Sequence, residues 1–483
     1  MDKPTRVFGR ADEWADLTRY AEKPGLGVVS GRRRHGKSFL LRELASQRES
    51  LYHQAIEVDR NEGLRRFAYA LASHHGWPAA PAFVDWEQAL RAACAGDQFV
   101  MLDEFPYLVR AAPELLSIIQ LLVDERRQMG ERLGLLLCGS ALSVMSEVLG
   151  GGSPLHGRAG LDLIVREFDY RSSAEFWQAP DERVAFLVDS IVGGAPGYRE
   201  LMDGRIPSTH DFASFGEWLA TGPLHPSHVL FSEDDYLLRE EMQINDRAQY
   251  LSILQAIAQG ARSTSAIAAA LQRDARSLHH ALNGLTRAGF VESIDDALRD
   301  QRPIHRLTDP IVRFCRLVTR PNVDRLEQRR WPEVIAEREA AIRAGILGPH
   351  FEHLAREWTR RFATDDQLGG AASRVAPAVL SDPKVKASRE VDVVALASGY
   401  GERPKVLAIG EAKYTDAQRT ISDVSRLEHL RDLITATRSA QFDTTSIKIL
   451  LFSANGFDKQ LQAMSRSRHD LVLIDLATLY GRR

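Results

Sequence analysis

Leu26-Gly27-Val28-Val29-Ser30, followed by Gly31-Arg32-Arg33-Arg34-His35-Gly36-Lys37-Ser38 and then Phe39-Leu40-Leu41, decides the fold. The first five residues are a short apolar run of strand length, and helical periodicity begins at Phe39. The eight residues between them match G-x4-G-K-[ST] in full, in the strand–loop–helix setting that the motif requires. Glycines let the backbone wrap closely around phosphates, and successive N–H groups and a helix N-terminus then point at the anion. On this reading Lys37 reaches the β and γ phosphates of ATP and the Ser38 hydroxyl binds Mg²⁺. Gly31, His35, Gly36, Lys37, Ser38 and Phe39 are the candidate nucleotide-binding residues of the loop.

Outward from the loop, Phe99-Val100-Met101-Leu102 and Gly134-Leu135-Leu136-Leu137-Cys138 are two more apolar runs, separated by helical stretches. Continuous rather than alternating runs suit strands buried on both faces of a parallel sheet. Residues 1–180 therefore read as an α/β, doubly wound P-loop NTPase core. The second strand ends in Asp103-Glu104. Asp103 is the candidate Mg²⁺-side carboxylate, and Glu104 the group that orients or deprotonates the attacking water. Two exposed acids capping a strand is the plainer alternative. Arg32, Arg33 and Arg34 have three readings, contact with phosphate, contact with nucleic acid or a solvated surface, and the last is the default.

At 483 residues the chain is long enough for about three domains. With 44% hydrophobic and 26% charged residues it is an ordinary folded chain. A net charge of −3 excludes a uniformly basic nucleic-acid coat, though not a local basic face. No apolar run approaches the ~20 residues of a membrane span, and the N-terminus lacks a signal-peptide core, so the expected compartment is the cytoplasm. Cys94, Cys138 and Cys315 form no CxxC pair, which argues against zinc or a disulfide framework. The chain has 53 arginines and 9 lysines, with no lysine between Lys37 and Lys384, so a retained lysine marks chemistry that arginine performs poorly.

Residues 181–246 read as a helical subdomain. Residues 247–330 carry the lengths of a winged helix: helices over 264–271 and 275–288, then strands over 290–294 and 304–307 flanking a wing at 295–303. This segment has 14 Arg, no Lys and 8 acidic residues. Arg273, Arg276, His279 and Arg287 lie on or beside its second helix, placed to meet DNA phosphates. The other reading is a domain packed on the NTPase core that relays nucleotide state. A linker helix spans 331–348 and ends at Gly348-Pro349. Residues 349–483 begin with a helix and continue through strands near 391–397, 405–409, 447–452 and 471–474.

Three further motifs carry a resemblance. Phe8-Gly9-Arg10 with Glu13 resembles the "FxGRxxE" box of AAA+ and STAND ATPases, Leu137-Cys138-Gly139-Ser140 their sensor strand, and Gly193-Gly194-Ala195-Pro196-Gly197-Tyr198 the "GGxPxY" element of prokaryotic STAND NTPases. Together they resemble the archaeal-type ATPase family over residues 6–320. The resemblance implies that Arg10, Ser140 and Pro196 belong to the nucleotide site. It implies a signalling switch, activation by nucleotide-dependent homo-oligomerisation after an unidentified protein trigger, and a role in defence against foreign DNA. Arg158 falls where family members carry an arginine after the sensor strand; it either senses the γ-phosphate, in cis or from a neighbouring copy, or is structural.

At the C-terminal end, Glu352 lies on the helix of 349–362, Asp392 in a strand, and Glu411-Ala412-Lys413 after another. Strand alternation puts Glu411 and Lys413 on one face, and Asp392 is placed to come from an adjacent hairpin strand. The set resembles the PD-(D/E)xK nuclease superfamily, with Val391 standing where a proline is usual. The resemblance implies a C-terminal α/β restriction-endonuclease-like domain in which Glu352, Asp392 and Glu411 hold Mg²⁺ and Lys413 stabilises transition-state charge. The alternative is a strand pair with exposed acids and a salt-bridged lysine. The expected function is an ATP-binding and ATP-hydrolysing switch that controls a Mg²⁺-dependent DNA nuclease. Its rivals are an ATP-dependent winged-helix DNA-binding regulator with a silent nuclease fold, and an ATP-driven remodeller.

Overall fold

A computed structural model of the chain describes residues 1–241, 247–299, 303–382, 387–399 and 403–482. Five parallel strands form the N-terminal sheet: β1 (Leu26–Ser30), β2 (Leu51–Gln54), β3 (Val100–Asp103), β4 (Leu135–Gly139) and β5 (Ala159–Ile164), in the order β2-β3-β4-β1-β5. β1, β3 and β4 are buried along their whole length because helices cover both faces. Leu40, Leu41 and Leu44 of helix Lys37–Gln47 pack with Trp14 and Leu17 over Val29, Met101 and Leu136. On the other face Phe67, Trp86, Ile119 and Leu122 pack over Val28, Leu102 and Leu137. The strand order sets β4 between β1 and β3. The P-loop, the tip of β4 and Asp103 thus share one carboxyl-end edge, where open α/β sheets bind ligands.

Helices Tyr170–Trp177, Glu182–Val192, Gly197–Leu201 and Phe212–Ala220 build a core beside this sheet. The segment expected to form a winged helix follows. Helices Arg247–Ala258, Thr264–Leu271 and His279–Arg287, the last entered through a 3-10 turn Ala275–Leu278, precede the antiparallel hairpin β6 (Val291–Asp295) and β7 (Pro303–Leu307). Residues 242–246 of the expected helical subdomain and 300–302 of the expected wing lie outside the described residues. The start of the wing is docked. Ala297 N–H donates to Pro377 O at 2.9 Å, Val379 N–H donates to the Asp296 carboxylate at 2.8 Å, and Ala297 and Leu298 enter the core of the C-terminal sheet.

The linker helix does not stop at Gly348-Pro349. Helix Trp331–Ile342 runs through a π-turn, Arg343–Leu347, into helix Gly348–Arg361. The wider i→i+5 turn absorbs the position at which proline has no N–H to donate. The C-terminal sheet has the order β12-β11-β10-β9-β8. β8 (Arg374–Asp382), β9 (Ala387–Ala397) and β10 (Lys405–Lys413) are antiparallel, and β10, β11 (Lys448–Ser453) and β12 (Leu471–Asp475) are parallel. Leu354 and Trp358 cover one face and Leu427, Leu430 and Ile434 the other. The closing helix Leu476–Tyr480 returns to the middle of the chain, where Tyr170 donates to Leu479 O at 2.8 Å. Among the described residues no single helix is long and apolar enough to cross a membrane.

Candidate functional sites

The P-loop has the backbone that an anion cradle needs. Gly31 has φ +150°, and a Cβ there would stand 2.3 Å from Val165 O, so only glycine fits. Gly36, at φ +88°, is the N-cap of helix Lys37–Gln47 and supplies no side-chain cap. The first four N–H groups of that helix have no intrahelical acceptor and remain for an anion. Lys37 is buried, its ammonium donating to Arg32 O at 2.9 Å. Burial lowers its pKa, opposed by nearby Cys138, Glu104 and Asp103. Burial, then Arg32 and Lys37, push His35 well below the usual histidine range, so the ring is neutral. Its Nδ1 lies 3.2 Å from Val165 O and therefore carries the proton. Ser38 is half-buried and Phe39 is exposed. Arg10 donates to His35 O at 3.0 Å and stacks 4.4 Å from the Phe168 ring, while Pro196 abuts Gly36. Arg10 and Pro196 thus both touch the loop.

Asp103 at the end of β3 is fully buried. The Tyr52 hydroxyl donates to its Oδ2 at 2.6 Å, and Glu104 N–H donates to its Oδ1 at 3.0 Å. Glu104 sits in the left-handed region at φ +53°, and its Oε2 accepts from the Ser140 hydroxyl at 3.0 Å. The sequence-derived set Lys37, Asp103, Glu104 and Ser140 is thus gathered at one edge. A serine hydroxyl and a carboxylate beside a phosphate cradle suit a hard divalent cation. Tyr52 was not foreseen, because nothing local in Leu51-Tyr52-His53-Gln54 signals a contact 51 residues away.

The three loop arginines are not a solvated face. Arg32 donates to Gly289 O at 3.2 Å, pairs with Asp309 at 3.3 Å and stacks 4.6 Å from Phe290, all at the base of the wing. Arg34 grips Glu233 with two bonds of 2.6 and 2.9 Å, and its carbonyl accepts from Gly197 N–H. Arg33 stacks 4.5 Å from Tyr236. Each loop cation finds its partner in a distant part of the chain. Arg158 makes two 2.9 Å bonds to Asp124. Its neighbour Ala159 pairs with Leu26, the first residue of β1, so Arg158 lies at the opposite sheet edge from Gly31, about 16 Å away along the strand. A γ-phosphate sensor in cis is excluded by that placement.

In the C-terminal sheet Gly410 pairs with Val393, which sets Asp392 of β9 beside Glu411 of β10. Lys413 Nζ lies 3.1 Å from Glu411 and 3.8 Å from Asp392. Asp392 also accepts from Ala412 N–H at 2.9 Å. Glu411 Oε1 pairs with Arg426 at 3.0 Å, whereas its Oε2 is buried without a hydrogen-bond partner, an oxygen left for a ligand. Glu352 does not complete the expected triad. Among the described residues no group of three or more His, Cys, Asp or Glu converges as a metal site. Glu411 is drawn to Lys413 and Arg426, and Glu352 lies 3.6 Å from Arg262. Burial, with Asp392 nearby, raises the Glu352 pKa. Two carboxylates, Asp392 and Glu411, are what the fold offers a divalent cation here. Arg273, Arg276, His279 and Arg287 of the winged helix are all exposed, and Cys94, Cys138 and Cys315 are free and buried.

No protein-family model matches the chain. An uncharacterized protein of Methanocaldococcus jannaschii is 27% identical over 335 residues, 68% of this chain and 72% of that protein. The ORC2 protein of Aeropyrum pernix resembles the chain more loosely, with a TM-score of 0.41 and 16% identity over 70% of this chain and 97% of that one. A Walker-type ATPase of Pyrococcus abyssi superposes with a TM-score of 0.51 at 21% identity, covering 64% of this chain and 96% of that one. With the loop geometry above, this last likeness shows the fold: most of the chain is built like a Walker-type P-loop ATPase.

Proposed function

We propose that the chain is an ATP-driven switch that governs a Mg²⁺-dependent phosphodiester-cleaving site at Asp392, Glu411 and Lys413. The observation that carries the nucleotide half is the meeting of Lys37, Asp103, Glu104 and Ser140 at one edge of three adjacent strands. The Lys37 ammonium exchanges Arg32 O for phosphate oxygens. Ser38 and Asp103 hold Mg²⁺, which supplies charge neutralisation for the phosphates when bound. Glu104 takes the proton of the attacking water, and Ser140 keeps its carboxylate aimed. Arg32 and Arg34 both lie between Gly31 and Gly36, so a change of loop shape on nucleotide exchange is felt at Gly289 and at Glu233. Strand β6 begins two residues after Gly289, and the wing that follows it rests on β8, next to β9 and Asp392.

The nuclease half rests on Asp392, Glu411 and Lys413 lying within reach of one another, with one Glu411 oxygen unpaired. The division at 180, 246, 330 and 348 into NTPase, helical, winged-helix, linker and nuclease-like parts belongs to this proposal, as does self-association with nucleotide. The test is ATP turnover and plasmid cutting with Mg²⁺ or Mn²⁺, with and without ATP. Lys37→Ala and Glu104→Gln are expected to abolish turnover, and Asp392→Ala and Lys413→Ala to abolish cutting. Cutting that survives Asp392→Ala, or turnover that survives Lys37→Ala, refutes the corresponding half.

The exposed cations Arg273, Arg276 and Arg287 favour a second reading, an ATP-dependent DNA-binding regulator. A sequence-specific footprint without cleavage selects it.

A further inference from the structure

Between the winged helix and the C-terminal sheet lies a cavity of about 640 Å³. That is within the roughly 300–1,000 Å³ of small-ligand sites. Its walls come from separate elements: Arg262 after helix Arg247–Ala258, Arg306 on β7, Arg313 on the helix after β7, and Arg356 on helix Gly348–Arg361. Glu352, Glu390 and Asp392 line it too.

The cations in this space are unequally neutralised. Arg262 lies 3.6 Å from Glu352 and 3.8 Å from Glu390, and Arg306 pairs with Glu292 at 2.8 Å. Arg313 and Arg356 have no carboxylate within ion-pair distance among the described residues. Each donates only to a backbone carbonyl, Arg313 to Leu307 O at 3.1 Å and Arg356 to Asp392 O at 2.9 Å. Burial first, then Arg306 and Arg262, pulls the Arg313 pKa down to about 9, with Glu352 opposing. Four arginines and three carboxylates line the cavity, and Arg313 and Arg356 are the two left without a direct ion pair, so an anion seated against them relieves their repulsion and desolvation. Guanidinium forks match phosphate oxygens in pairs.

We propose that this cavity is a second phosphate-binding site, in which Arg313 and Arg356, with Arg306 beside them, hold the phosphate of either a nucleic-acid backbone or a free phosphorylated small molecule. It is distinct from the P-loop, and it stands whether or not Asp392 and Glu411 cut anything. A strand seated there brings its backbone to Asp392, whose own carbonyl is Arg356's partner. A small phosphorylated ligand instead ties the winged helix to the C-terminal sheet.

The probe is inorganic pyrophosphate, titrated calorimetrically into the full chain carrying Lys37→Ala, which weakens the P-loop's own phosphate grip. One saturable site per chain is expected. Arg313→Gln with Arg356→Gln lowers its affinity at least tenfold, whereas Arg65→Gln with Arg205→Gln, two exposed arginines remote in sequence from the cavity lining, leaves it unchanged. Arg356→Lys keeps the charge, guards against misfolding of the double variant and is expected to lose less than Arg356→Gln. Competition by a twelve-residue oligothymidylate assigns the site to a nucleic-acid strand, and failure to compete assigns it to a free phosphorylated ligand. The absence of pyrophosphate binding, or equal affinity in the cavity variants and their parent, overturns the proposal.

Discussion

Replacing Arg34 by methionine isolates the grip that a loop cation has on the helical core. Glu233 is 1% exposed, and among the described residues its other side-chain hydrogen bond is one accepted from the Tyr198 hydroxyl at 3.4 Å. Removing Arg34 deletes bonds of 2.6 and 2.9 Å and strands a buried carboxylate. Breaking one side of a buried pair costs about 3–5 kcal/mol. The loss falls on the helical core, because Glu233 is on the helix that follows the Val229–Ser232 turn and Arg34 is on the P-loop. Arg34→Met with Glu233→Met removes both charges and costs less than about 1 kcal/mol, because apolar pairs of similar volume replace buried ion pairs well. Hydrogen exchange read by mass spectrometry over residues 182–201 and 229–240 measures these local free energies. A single variant that loses less than about 1 kcal/mol, or a double variant as unstable as the single, refutes the view that Glu233 is desolvated and held chiefly by Arg34.

Gly31→Ala puts a methyl group 2.3 Å from Val165 O and forces the loop to move; ATP affinity by calorimetry is expected to fall more than tenfold. Tyr52→Phe strips a 2.6 Å donor from fully buried Asp103, at about 1–3 kcal/mol, and is expected to lower kcat for ATP with little change in KM. In the Lys37→Ala chain, Mn²⁺ is expected to raise Tm through Asp392 and Glu411; Glu411→Gln, which alters the side chain bearing the unpaired oxygen, abolishes the rise in a melting series.

What was legible in the sequence follows a physical divide. Gly31, Gly36 and Lys37 were readable because backbone conformation and phosphate chemistry admit few substitutes at those positions. β1, β3 and β4 were readable as continuous apolar runs because helices bury both of their faces. β2, β5 and β8 were missed, and all three are edge strands. β5 alternates half-buried with exposed residues, and β8 carries Pro377, which an edge tolerates. Gly348-Pro349 reads locally as a helix stop, and only the π-turn before it carries the helix through. The ion-pair partners of Arg34 and Arg32, Glu233 and Asp309, lie 199 and 277 residues away. A run of cations has no local signature of such contacts, so it reads as surface. Glu352, Asp392 and Glu411 share one region, as their spacing suggests, but Glu352 also meets Arg262, and Glu411 meets Lys413 and Arg426, contacts of which only that with Lys413 is local in sequence.

The same distant contacts bear on how a signal leaves the nucleotide site. A winged helix that reads DNA with its wing needs that wing free, yet Asp296 and Ala297 are hydrogen-bonded to β8 and Leu298 lies in the C-terminal core. The second helix keeps its cations exposed, so one half of the motif is free to contact another molecule while the other half is tied internally. At the root of the wing, Arg32 holds Gly289 and Asp309. A further cavity of about 350 Å³, lined by Gly31, Arg32 and His35, shares Arg306 and Arg313 with the arginine-rich cavity beside Asp392. Contiguity alone is not coupling, which requires an element with two arrangements that both sites bias. The hairpin β6–β7 meets the structural part of that condition, because its base is held by the P-loop and its far end by the sheet that carries Asp392. If it is that element, pyrophosphate affinity in the arginine cavity changes when ADP replaces a non-hydrolysable ATP analogue in the otherwise wild-type chain, and Arg32→Ala removes the difference without abolishing either binding event. Equal affinities in the two nucleotide states would leave the hairpin a rigid brace.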